Sequence, residues 1–152
     1  MGMPGSNAQG NIADLNSEKT FSPMPAHMNT VVGNEALVLY GARQYPGINF
    51  YGLNPGLIKS NIRSNMSGGQ GSLRHRITEG IIGFLTMSAD TYAARIVPLL
   101  FSTDIEAASG ALFNQKGIAI LPSETMTPSY VDEYIEASDK LLRRVLQNAS
   151  IP

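Results

Sequence analysis

The chain has 152 residues, of which 43% are hydrophobic and 15% are charged, and its formal net charge is -1. This length is enough for one domain with a core, and the near-neutral charge gives no field that would attract nucleic acid or an anionic membrane. The absence of cysteine excludes disulfides, thiol nucleophiles and cysteine metal ligands. From the near-neutral charge we expect no nucleic-acid partner.

No targeting or membrane signal is predicted. The N-terminal segment is polar and glycine-rich, and it lacks the charged start and apolar run of a signal peptide. The longest apolar runs, such as Ile96 to Phe101, are too short to span a bilayer. No group of His, Asp and Glu has metal-ligand spacing. We expect a cytoplasmic protein with no membrane span and no metal site.

The first half of the chain predicts a loop, a helix and a strand. Residues 1–27 are rich in Gly, Asn, Ser and Pro without apolar periodicity, which is typical of an irregular segment. Helical spacing of apolar residues runs from Asn29 to Arg43. A short apolar strand of the type buried in parallel sheets is predicted from Ile48 to Leu53. After Pro55 and Gly56, glycines and serines predict a mobile loop.

Two helices are predicted in the middle of the chain. Ser72 is a suitable cap for a helix whose apolar stripe reaches Leu85. Ser88 begins a second helix, which Pro98 is expected to kink or end. The order of helices and strands up to this point favours an α/β fold.

The last third predicts two short strands and a long amphipathic helix. The strands cover 110–113 and 117–121, joined by a turn. The helix is predicted over 129–147, with the core stripe Val131, Tyr134, Ile135, Ser138, Leu142 and Val145. A parallel strand needs neighbours along its edges, so the predicted sheet is incomplete.

The segment "INFYGLNPGLIKSNIR", Ile48 to Arg63, resembles the late strand and Pro-Gly segment of the short-chain dehydrogenases/reductases, especially the retinol-dehydrogenase-like and fungal branches. The order of "NEALVLYGARQYPG", "SADTYAARIVPLL" and "ASGALFNQKGIAILPS" around it is also similar. The resemblance covers about Phe21 to Leu146. It implies one partial domain over 1–152: the C-terminal part of a Rossmann-like NAD(P)-binding fold, with an incomplete parallel sheet flanked by helices.

The resemblance implies a role for the Pro-Gly segment. In that family NAD or NADP exchanges a hydride with an alcohol or carbonyl substrate, and this segment contacts the cofactor. Open parallel sheets bind ligands at the carboxyl ends of their strands, and glycine lets the backbone approach a flat ring. The alternative is an ordinary strand-to-loop turn. The implied cofactor-binding residues are Asn54, Pro55, Gly56, Leu57, Ile58 and Ser60.

The sequence departs from the family in two places. It contains no TGxxxGxG turn, and "GGQGS" at 68–72 is read as a flexible loop. The family's Tyr and Lys pair is also absent: His27 or Met28 stands where Tyr is expected, and Val31 or Val32 where Lys is expected. Histidine can transfer protons near neutral pH, but a surface or turn residue is the favoured interpretation of His27. The catalytic residues are thus unknown, and we expect this chain alone to be inactive.

Two further readings follow from the residues. Lys59, Arg63 and the run Arg74–Arg76 form a basic cluster that either meets an acidic ligand or is a solvated helix face. The alternative to an enzyme is a non-enzymatic interaction module that pairs with another subunit, or with a second copy, through its exposed sheet edge.

Overall fold

The computed structural model of the chain describes residues 3–56, 58 and 87–149. Several predictions from the sequence lie outside these residues. They are the helix that begins at Ser72, the glycine-rich segment 68–72, the basic cluster, and the ligand contacts of Leu57 and Ser60.

Three helices form most of the described structure: α1 (Pro23–Gln44), α2 (Ala89–Leu100) and α3 (Pro128–Ala149). Single 3-10 turns lie at Ile12–Asp14 and Thr103–Ile105. All three predicted helices in the described regions are therefore confirmed, with different ends.

Helix α1 begins six residues earlier than the predicted Asn29, so residues 23–27 are helical rather than irregular. Its first residue is Pro23, and proline suits the first turn because its fixed φ is already helical. The start of α2 agrees with the prediction, since the Ser88 hydroxyl accepts a hydrogen bond from Thr91 N–H at 3.1 Å. Pro98 lies inside the last turn of α2, and the helix ends two residues later at Leu100.

The three strands form one small sheet in the order β1 (Gly52–Leu53), β2 (Leu112–Phe113) and β3 (Ala119–Ile120). Strands β1 and β2 are parallel, with Gly52 opposite Leu112. Strands β2 and β3 form an antiparallel hairpin. The α/β class and the parallel pair are confirmed. The sheet is mixed, however, because the hairpin adds an antiparallel strand to it.

Strand β1 is shorter than the predicted Ile48–Leu53. Ile48 N–H donates to Tyr45 O at 3.0 Å, so the chain is still turning at Ile48. Phe50 O accepts from Gly110 N–H at 2.7 Å, but Phe50 N–H donates to the Ser109 hydroxyl instead of a second strand. Regular pairing begins only at Gly52, where a side chain would collide with Leu112.

The core lies between α1 and α3. Its buried members are Val32, Ala36, Met126, Val131 and Tyr134. The stripe predicted on α3 is right for its first half, because Val131 and Tyr134 are buried. It is wrong for its second half, where Leu142 is 55% exposed and Val145 is 46% exposed. Helical spacing identified the apolar face, but the described residues cover only one end of it.

A buried carboxylate joins distant parts of the chain. Glu35 on α1 is only 2% exposed. Its two oxygens accept from Ser123 N–H (2.6 Å), the Ser123 hydroxyl (2.8 Å) and Gly5 N–H (3.2 Å). The Ser123 hydroxyl in turn accepts from Asn7 N–H at 3.1 Å. These bonds fix the N-terminal segment and the loop before α3 against α1, because a buried carboxylate requires such donors.

Asn29 provides a second polar anchor on α1. Its side-chain oxygen accepts from Asn11 N–H at 2.7 Å, and its Nδ2 donates to Leu15 O at 3.1 Å. The Tyr134 hydroxyl donates to Asn29 O at 2.6 Å. Burial and the neighbouring Tyr130 raise the pKa of Tyr134 to about 12. Asn29 thereby ties the first 3-10 turn, α1 and α3 together.

Candidate ligand site

The Pro-Gly segment contains an Asx turn at the carboxyl end of β1. Asn54 N–H still donates to Phe113 O in the sheet at 2.8 Å. The Asn54 side-chain oxygen accepts from Gly56 N–H at 3.0 Å, and this Asx turn follows directly on the last sheet bond. Gly56 has φ +62, a left-handed conformation that glycine adopts without strain. Gly56 is exposed, and Asn54 and Pro55 are partly buried.

A second turn of the same kind follows β2. The Asn114 side-chain oxygen accepts from Lys116 N–H (2.9 Å) and from Ile118 N–H (3.1 Å). Gly117 completes the reversal into β3 with φ +75. Because β1 and β2 are parallel and in register, both asparagine turns lie at the carboxyl end of the sheet.

The two turns meet at Gln115. A Cβ built on Gly56 would lie 3.4 Å from Gln115 Cδ and 3.5 Å from Gln115 Oε1. Because glycine has no Cβ, the Gln115 carboxamide faces Gly56 across a gap that would just hold a methyl group. Gln115 is half-buried. No pattern in the sequence marks Gln115 as a site residue.

The start of α2 lies beside the same end of the sheet. Ile58 forms a parallel bridge with Met87, the residue before the Ser88 cap. Of the six predicted cofactor contacts, Asn54, Pro55, Gly56 and Ile58 are described, and they lie directly after β1 at this end of the sheet. Tyr92, one turn into α2, is buried, and burial raises its pKa. Its hydroxyl has no hydrogen-bond partner among the described residues.

The residues considered for proton transfer lie elsewhere. His27 is exposed on the first turns of α1, and Val31 and Val32 are buried in the core. Within 3–56, 58 and 87–149, no three His, Cys, Asp or Glu side chains form a cluster that would hold a metal ion.

The backbone of Gly56 is accessible at this turn. An exposed left-handed glycine next to a carboxamide leaves room for a flat ring to rest on the backbone. Phosphate groups are held by glycine-rich turns that lead into helices. The described residues directly before α1, α2 and α3 include no glycine. Among the described residues, no phosphate-binding turn of this type is present.

The sequence is related to a protein of Saccharomyces cerevisiae described as an uncharacterized oxidoreductase. The two are 47% identical over 150 residues, which is 98% of this chain and 48% of the yeast protein. The chain thus spans about half the length of this curated relative. No protein-family model and no solved structure matches the chain.

A helix that spans a bilayer must be both long and apolar. None of the helices in the described part of the chain is both long enough and apolar enough to cross a bilayer.

Proposed function

We propose that this chain is one part of an NAD(P)-dependent oxidoreductase of the short-chain dehydrogenase/reductase type, acting on an alcohol or carbonyl substrate. It contributes the wall on which the nicotinamide ring rests, formed by Asn54, Pro55, Gly56 and Ile58. The proton-transfer and phosphate-binding groups come from further polypeptide. The chain alone binds the cofactor weakly and turns over no substrate.

One observation carries this proposal: the turn with left-handed Gly56 stands at the carboxyl end of a parallel strand. Ligands of open α/β sheets bind at that end. The relationship to an oxidoreductase supports the same class of chemistry. The exposed position of His27 and the burial of Val31 and Val32 agree with a chain that does not hold a complete catalytic set.

The test is a titration of the purified, isotope-labelled chain with NADH and NADPH, followed by the NMR shifts of backbone amides. We expect shifts at Asn54 and Gly56, with a dissociation constant in the millimolar range, about 4 kcal/mol of binding free energy. Oxidation of NADPH by the chain with added carbonyl compounds should remain at background. A micromolar dissociation constant together with carbonyl-dependent oxidation would show that the chain is a complete enzyme.

A matched pair of glycine variants tests the turn itself. Gly56→Ala strains a left-handed residue and should weaken NADH binding several-fold. Gly47→Ala is the control, because a Cβ there meets nothing within 4 Å and its φ is not in the left-handed region. Equal NADH affinity in both variants would place the ligand elsewhere.

A second function, binding another polypeptide, is favoured by an uncovered apolar surface. One groove of about 180 Å³ runs between α1 and β1, and a second of about 410 Å³ runs between α1 and α3. Leu37 lines both grooves and is 56% exposed, so the two grooves are adjacent. We call this the open surface, defined by Leu37, Leu53, Leu142 and Val145.

The edge of β1 adds hydrogen-bonding groups to the open surface. Gly52 N–H and Asn54 N–H both donate toward β2, at 2.9 and 2.8 Å. Alternation along the strand turns the peptide groups of Leu53 to the opposite side, where no strand of the described residues lies. Free peptide groups next to apolar side chains are the features that an added strand recognises.

We propose that the occupant is a polypeptide that supplies a parallel strand to β1 and an apolar helix to the grooves. More than half of the yeast relative lies outside the matched region, which is enough chain for both elements. Co-expression of this chain with that unmatched part should give a one-to-one complex by size exclusion with light scattering.

Leu37→Glu should abolish this complex, because a charge would be buried in the apolar contact. Leu121→Glu is the control, since Leu121 is also exposed but lies outside the open surface. A homodimer that Leu37→Glu dissociates would instead identify a second copy as the occupant. Failure of both assemblies would reject the docking role.

A further inference from the structure

The side chain of Gln115 lies at the candidate site but makes none of the hydrogen bonds that form its turn. The Asn114 side chain fixes the turn through two backbone hydrogen bonds, and Gly117 N–H donates to Asn114 O at 2.9 Å. The turn is therefore complete without Gln115. No hydrogen bond joins the Gln115 carboxamide to another described residue. Its donor and acceptor remain available next to Gly56.

We propose that Gln115 is a ligand-binding residue, which pairs through its carboxamide with a ligand group that carries both a donor and an acceptor. The carboxamide of a nicotinamide ring is such a group. This inference rests on the proposed function, and it adds a second side of the site, from the β2–β3 turn, to the wall formed after β1.

Position and chemistry both support this role. The amide carbon and Oε1 lie 3.4 and 3.5 Å from the position that a Cβ on Gly56 would take, so the carboxamide faces the open side of this glycine. A ring lying on Gly56 therefore has the edge of the Gln115 carboxamide within reach. Glutamine offers two N–H donors and one acceptor oxygen, which complement the oxygen and NH₂ of a primary carboxamide. A ligand without both functions leaves part of this pair unsatisfied.

The nearest alternative is that Gln115 only fills space over Gly56. A spacer is replaced by leucine without loss of binding, because leucine has a similar volume and no polar atoms. If Gln115 binds the ligand, leucine weakens binding, because the ligand carboxamide then loses two neutral hydrogen bonds. That loss corresponds to about fivefold to 150-fold in affinity.

The experiment is an NMR titration of the full chain with NAD, with nicotinamide and with adenosine monophosphate, each to about 10 mM. The Gln115 side-chain NH₂ signal is assigned from its disappearance in Gln115→Leu. We expect NAD and nicotinamide to shift this signal together with the Gly56 amide, and adenosine monophosphate to leave both unchanged. Gln115→Leu should weaken NAD binding, whereas Lys116→Leu, an exposed neighbour in the same turn, should not.

The outcomes separate this inference from the proposed function. If NAD shifts Gly56 and Gln115→Leu binds as tightly as Lys116→Leu, Gln115 is a spacer and the cofactor wall still stands. If NAD shifts neither Asn54 nor Gly56, both proposals are overturned. Thermal midpoints of the two variants check that they fold. Gln115→Asn, which only shortens the side chain, replaces the leucine variant if that variant is unfolded.

Discussion

Helix α3 has two ends that differ in what covers them. Near its start, Val131 is 1% exposed and Tyr134 packs with Val32 of α1 in the core. Three turns later, Leu142 and Val145 continue the same apolar face but stand in solvent beside a groove. The apolar face of α3 is thus longer than the part of it that the described residues cover. The difference separates what stabilises this chain from what is available to a partner.

The largest expected effect lies at the closed end. Glu35→Ala leaves the buried donors of Ser123 and Gly5 without an acceptor, and we expect a loss of about 3 kcal/mol in the free energy of unfolding. Urea unfolding followed by circular dichroism measures it. Glu133→Ala, at an exposed position on α3, should change stability little. Equal stability of the two variants would mean that the Glu35 bonds contribute nothing net.

A valine pair tests the comparison on a single helix. Val131→Ala removes buried methyl groups and should cost about 2 kcal/mol of unfolding free energy. Val145→Ala should cost less than about 0.5 kcal/mol in the isolated chain. In the proposed complex, Val145→Ala should instead weaken association. If both variants lose the same stability in the isolated chain, the open surface is already covered.

The ends of the elements show how far the sequence alone could predict this arrangement. The Ser88 cap and the position of α3 were predictable, because capping and helical spacing are local properties. The length of β1 was not, because the turn at Ile48 and the bond from Gly110 depend on residues distant in sequence. The stripe through Leu142 and Val145 failed for another reason. Periodicity identifies an apolar face, but not whether a neighbour covers it.

The candidate site was predicted in the same uneven way. Asn54, Pro55 and Gly56 carry a local turn signal that is visible in the sequence. Gln115 carries none, since it reaches Gly56 only through the pairing of Gly52 with Leu112. Residues brought to a site by strand register cannot be found from spacing.

Alkaline pH gives a smaller test of the closed end. The pKa of Tyr134 is about 12 in the folded chain, compared with 10.0 for an ordinary tyrosine. Because the folded state holds this proton more tightly, its contribution is complete below pH 10 and is lost as pH rises from 10 to 12. We expect a loss of about 1 kcal/mol by pH 11. Tyr134→Phe should remove this component of the pH dependence, as measured by urea unfolding at pH 8 and pH 11.

The smallest effect contrasts two buried tyrosines at neutral pH. Tyr134→Phe removes the bond to Asn29 O and should cost about 1 kcal/mol. Tyr92→Phe removes a hydroxyl that has no partner among the described residues, so stability should be unchanged or should rise slightly. A clear loss for Tyr92→Phe would show that this hydroxyl is bonded, and thermal midpoints of the two variants decide it.

The Glu35 bonds also set an order of events in time. The contact with Ser123 joins residues 88 positions apart, and the contact with Gly5 joins residues 30 apart. Closing such distant contacts is slow compared with the formation of α1 itself. During synthesis the bonds between Glu35 and Ser123 cannot form until Ser123 has left the ribosome. Docking of the loop that contains Ser123 is therefore a late step of folding, and mutations at Ser123 should mainly speed unfolding.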